Sequence, residues 1–159
     1  MRLTRIAVVL AAGALAACVV ENESKPRLPP LPPLAADQGQ PVLALFEHVL
    51  TGYFAGVGPN APTICAALRP GPLSATQEQE LIARFVRLAP AARCRVEASG
   101  AVDALTEGPA VVIEIADFAC GPAGCAGSVT LPGRPAARHA LRFEEGAWRF
   151  DGNVGVVAK

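Results

Sequence analysis

The chain predicts an α+β domain, with two or three N-terminal helices packed on one face of a curved antiparallel sheet of about five strands. Before residue 90 its apolar residues recur at a helical period, and from residue 93 onward they alternate with polar ones at period two. Helices followed by strands, separated by proline and glycine clusters, is the order of an α+β chain rather than a doubly wound one.

The first helix is predicted over 42–54, where Val42, Leu45, Phe46, Val49, Leu50, Tyr53 and Phe54 form one apolar stripe. Glu47, His48 and Thr51 fall on the other side, so His48 reads as a solvated surface histidine. Gly56 and Gly58 with Pro59 end the helix. A short helix over 63–69 carries Cys65. Ser74 then opens a second long helix as N-cap, with Gln77 completing a capping box. Leu81, Ile82, Phe85, Val86 and Leu88 supply its buried side, and Pro90 stops it. Arg84 and Arg87 are read as exposed residues that suit the C-terminal end of the helix dipole.

Strands are predicted over 93–98, 111–116, 126–131, 138–144 and 147–157. In the strongest, Val111, Ile113 and Ile115 alternate against Val112, Glu114 and Ala116. The last hairpin can be registered from side-chain parity. Phe143 opposite Trp148 sets Leu141 opposite Phe150, so four large side chains share one face, while Arg142 opposes Arg149 on the other. The link from Glu144 to Ala147 turns with Gly146 in a left-handed conformation.

At the N-terminus, Arg2 and Arg5 precede an apolar, alanine-rich run that ends in Leu15, Ala16, Ala17 and Cys18. This stretch resembles the lipobox of a bacterial lipoprotein signal peptide. The resemblance implies removal of residues 1–17, acylation of Cys18 and a mature chain anchored to a membrane by lipid. Val19 stands where an aspartate commonly retains such proteins at the inner membrane, which implies the outer membrane, periplasmic face. An ordinary cleaved signal or an uncleaved span remains open, although 6–20 is short against the roughly 20 residues a span needs. Residues 18–41 are read as the lipidated cysteine and a Pro-rich tether, extended at about 3.1 Å per residue. A PxxP docking peptide is the alternative use. Residues 42–159 then form a single domain.

Without residues 1–17 the 14 basic residues fall to 12 against 14 acidic ones, a net charge of −2. No basic excess points to nucleic acid. Aromatic content is only 5%, so the core is poor in large side chains and would benefit from cross-links. With Cys18 set aside, Cys65, Cys94, Cys120 and Cys125 form an even set in an oxidising compartment. Three pairings are possible. Cys65 with Cys94 and Cys120 with Cys125 is favoured, because a turn-forming Gly-Pro-Ala-Gly separates the second pair. A four-thiolate zinc site lacks the close cysteine pairs such sites use, and no cofactor or metal is expected.

The element order, closed by Gly146-Ala147-Trp148-Arg149-Phe150-Asp151-Gly152, resembles the NTF2-like, cone-shaped superfamily over residues 42–159. The strand that this family places between its helices is not evident. A cystatin-like sheet or an unclassified lipoprotein fold would share the same order. Catalytic members of the NTF2-like superfamily use a carboxylate or histidine with a tyrosine in the mouth of the cone. The candidates are Tyr53, Asp117 on the inward parity of the strong strand, and His139 on the parity of Leu141. Each also has a purely structural explanation, and no GxSxG, Walker, HExxH or CxxC motif is present. The expectation is a non-catalytic envelope lipoprotein whose domain binds a protein or a small ligand. The alternative is a small hydrolase or isomerase.

Overall fold

Pro41 at the first helical position and Gly56 at the C-cap bound helix α1 (Pro41–Ala55), as the periodicity predicts. The computed structural model describes residues 30–98 and 100–151. The lipobox, Cys18 and residues 152–157 of the expected last strand lie outside them. Leu43, Leu45, Phe46 and Leu50 of α1 are completely buried, and burying each contributes roughly 1.5–3 kcal/mol.

Leu43 and Ala44 lie off the predicted stripe yet are buried, because the chain before the helix folds back over it. Residues 34–36 form a 3-10 turn against α1, with Leu34 in the core at 2% exposure. Glu47 Oε2 accepts the N–H of Leu34 at 2.8 Å, and Arg84 donates to the carbonyl of Pro32 at 2.6 Å. Residues 31–40, assigned by composition to the tether, therefore pack on the domain.

The sheet corrects the predicted layout. It has eight strands rather than about five, and it is mixed rather than antiparallel. The segment expected as a short helix is strand β1 (Thr63–Arg69), lying between the two helices. Ile64, Cys65 and Ala66 are buried in succession, so the strand shows no alternation to read. Helix α2 (Ala75–Arg84) follows, with both hydrogen bonds of the Ser74–Gln77 capping box formed, a cap typically worth about 1 kcal/mol. It ends at Arg84, six residues before Pro90. Phe85 turns the chain, Val86 is 93% exposed, and Leu88 and Ala89 form β2 (Leu88–Ala89), parallel to β1. The β1–α2–β2 connection is a crossover that a purely antiparallel sheet would not contain.

Next come β3 (Cys94–Glu97), β4 (Gly100–Asp103) and the long β5 (Pro109–Gly121), which pairs parallel with β1. The antiparallel run continues through β6 (Gly124–Thr130), β7 (Ala137–Glu144) and β8 (Ala147–Asp151), in the order β2-β1-β5-β6-β7-β8. β4 meets the first two residues of β5, ahead of where β6 pairs. The closing hairpin has the predicted register, with Phe143 opposite Trp148 and Leu141 opposite Phe150. Glu145 and Gly146 both take positive φ in a tight two-residue turn. At the start of β6, a Cβ on Gly124 would run into the Leu141 carbonyl, so only glycine fits.

Two disulfides are present, Cys65–Cys94 and Cys120–Cys125. Ile64 and Ala66 of β1 join the core shared with α1, whereas Cys65 is held by its bond to Cys94. Thr63, on the same parity as Cys65, donates to Asp103 Oδ2 at 2.5 Å. Arg93, beside Cys94, donates to both Asp103 oxygens at 2.8–3.0 Å. The Leu105 N–H adds a further bond to the Asp103 carboxylate, which is 1% exposed. Buried charge survives only when so fully satisfied, and here it pins the β3–β4 hairpin to β1.

Candidate functional site

The C-terminal half of helix α1 borders a space that it shares with β6 and β7. A cavity of about 580 Å³ opens there, within the range of small-molecule sites. From the helix come His48, Val49, Gly52 and Tyr53. The floor is Val129 and Leu131 with Ala137 and His139, and residues 132–135 close one side with Pro132, Arg134 and Pro135.

Each wall has a local cause. Gly52 has no atom within 4 Å of where a Cβ would stand, so the helix leaves open space at this turn. Arg87 donates to the carbonyls of Val57 and Gly58 and lies 5.8 Å from the centre of the Phe54 ring, fixing the exit of α1 beside the cavity. Arg87 is thus a cap for α1 rather than a free residue at the end of α2. Arg84, also expected to be exposed, is buried with a side chain 9% accessible, bridging Glu47 and Glu80.

The two histidines meet across the helix–sheet boundary. The His48 ring stacks on Phe150 with centroids 4.2 Å apart, and its edge faces His139 at 6.5 Å. His48 is exposed, as its face of α1 predicts, but it borders the cavity instead of standing free. Partial burial lowers its pKa. The half-buried His139 is lowered by burial and then by the neighbouring His48. Both rings are therefore neutral near pH 7, each with one N–H donor and one lone pair.

Of the three candidates, Tyr53 and His139 line this cavity and Asp117 does not. Asp117 is exposed, with φ 52°. Between Ala116↔Ser128 and Ala119↔Ala126, β5 places Asp117 and Phe118 opposite the single residue Gly127, a β-bulge that breaks the alternation. Phe118 takes the inward place, and its Cδ2 would lie 3.0 Å from a Cβ on Gly127. Inward parity for Asp117 is thus corrected. His48 is the residue that sequence reasoning set aside; only its distance from Phe150 across the fold reveals its position.

No carboxylate lines the cavity among the described residues, and none of them form a group of three or more His, Cys, Asp or Glu placed for a metal ion. No described helix is long and apolar enough to cross a membrane. Comparison with family models, with curated proteins and with solved structures finds no match for the chain.

Proposed function

We propose that this chain is a lipid-anchored envelope protein whose domain, tethered at the periplasmic face of the outer membrane, binds a small ligand without converting it. The observation that carries the binding role is the 580 Å³ cavity between α1 and β6–β7, walled by apolar side chains with a tyrosine and two imidazoles at defined places. The envelope setting rests on the Leu15–Cys18 motif and agrees with two disulfides in a short chain.

Binding is preferred to turnover on chemical grounds. A histidine acting as general base is normally oriented and held in one tautomer by an acid or carbonyl partner. Asp117, the carboxylate of the candidate set, is directed elsewhere, and Tyr53 and His139 alone do not make a proton relay. The hydrolase or isomerase reading called for Tyr53, Asp117 and His139 together in one pocket, and the cavity joins only Tyr53 and His139 of the three.

The test uses the neutral fluorescent probe N-phenyl-1-naphthylamine with the full chain. Gly52→Leu extends a side chain into the open space while improving a helix position. Saturable probe binding that falls at least tenfold in this variant supports the cavity as the site. Equal binding by both proteins would remove it. Mass spectrometry of the N-terminal peptide checks the anchor, and an unmodified peptide running through Ala17 and Cys18 would contradict the localisation.

A further inference from the structure

We infer that the ligand of this cavity is an amphipathic monocarboxylate, its apolar body lying on Val129, Leu131 and Ala137 and its head group received by Arg134. This rests on the reading of the cavity as a binding site and adds the class of ligand. Among the described residues, the cavity's only permanently charged lining residue is Arg134, and no aspartate or glutamate lines it. An apolar chamber with a cation at its edge and no acid complements an anion attached to an apolar body.

Arg134 is placed for this role by its backbone. The Arg134 N–H donates to the Leu131 carbonyl at 3.1 Å, closing the turn after β6 so that residue 134 lies at the exposed rim. Its guanidinium makes no ion pair or side-chain hydrogen bond among the described residues, whereas Arg84, Arg93, Arg142 and Arg149 all hold carboxylates. A planar fork of N–H donors suits a carboxylate, which it can grip through two parallel bonds. The imidazoles of His48, from the helix, and His139, from the floor, offer two further donors in the same cavity. One carboxylate matches this donor set; a dianion would leave charge uncompensated against the apolar floor.

The experiment compares three probes with the same body: 8-phenyloctanoate, 8-phenyl-1-octanol and 8-phenyloctylamine. Each is titrated calorimetrically into the full chain held in nanodiscs, with empty nanodiscs as the blank. The acid should bind about tenfold more tightly than the alcohol, the amine should bind most weakly, and Arg134→Gln should weaken the acid about tenfold while leaving the alcohol unchanged. If acid and alcohol bind equally, or Arg134→Gln leaves the acid's affinity intact, the carboxylate inference is overturned and the cavity reading stands. If no probe gives heat above the blank, the cavity reading itself fails and this inference with it.

Discussion

The indole Nε1 of Trp148 donates to the carbonyl of Asp37 at 2.8 Å, tying the closing strand to the segment that precedes the first helix across 111 residues of sequence. The same ring packs edge-on against Phe143 and is 7% exposed. One side chain thus holds the hairpin, the core and the folded-back N-terminal segment together.

Trp148→Ala should accordingly cost about 3–5 kcal/mol, through the cavity left behind and the lost hydrogen bond to the Asp37 carbonyl. Trp148→Phe keeps most of the packing and should cost less. Arg149→Ala, on the outer face and paired with exposed Glu145, should cost under about 1 kcal/mol. Urea unfolding gives all three values, and similar losses for Trp148→Ala and Arg149→Ala would contradict the burial.

Removing the Cys65–Cys94 bond with a double serine variant should cost roughly 3.5 kcal/mol from loop entropy, and removing Cys120–Cys125 roughly 2. The first bond also braces the Arg93–Asp103 pair. Asp103→Asn should therefore destabilise the double variant and the parent by different amounts, as residues sharing a network do. Strictly additive losses in unfolding experiments would separate the two devices.

Gly124→Ala should lose about 2–3 kcal/mol, because φ is +123° and the added methyl meets the Leu141 carbonyl. Gly133→Ala, at φ +68° with open space around it, carries the backbone penalty alone and should lose about 1 kcal/mol. Thermal unfolding of the two variants distinguishes collision from conformational cost.

Stability should fall on acidification in two windows. The unfolded histidines protonate near 6.5, while His48 and His139 resist until lower pH in the folded protein. Between those values the unfolded chain binds more protons, so stability drops as the pH falls below about 6.5 and then levels off. Asp103 is held well below the usual carboxylate range by Arg93, then by Thr63 and the Leu105 N–H, against its burial. Its contribution is present above its unfolded value of 3.8 and is lost progressively as the pH falls below that. Urea midpoints from pH 8 to 2 test both windows, and a flat profile between pH 7 and 5 would contradict the first.

What the sequence revealed and what it hid follow from how local each signal is. The Ser74 cap, marked by Gln77 three residues on, and the Phe143–Trp148 register, marked by side-chain parity, are both set by neighbours in the chain. The Cys120–Cys125 pair spans a turn whose residues announce it. β1 was hidden because Ile64, Cys65 and Ala66 are buried on both faces, which erases the alternation that marks a strand. The predicted second helix overran because Phe85 and Leu88 fit its period, although Leu88 is spent on pairing with Ile64. Proline content made 31–40 look like tether, although Leu34 is an anchor. At the site, the bulge at Asp117 and Phe118 reverses side-chain direction with no marker but a glycine on the facing strand. His48 acquires its setting only from Phe150 and His139, both about ninety residues or more away in sequence.

The cavity bordered by His48 and His139 is the proposed ligand site, and the chain holds only these two histidines. Their imidazole resonances, assigned with one His→Gln variant, can be followed by NMR while 8-phenyloctanoate is added to the full chain in nanodiscs. Both signals should shift saturably at the same midpoint, and neither should shift in Gly52→Leu. Resonances that stay in place at saturating probe, or that move equally in Gly52→Leu, would show that the cavity is not where the ligand binds.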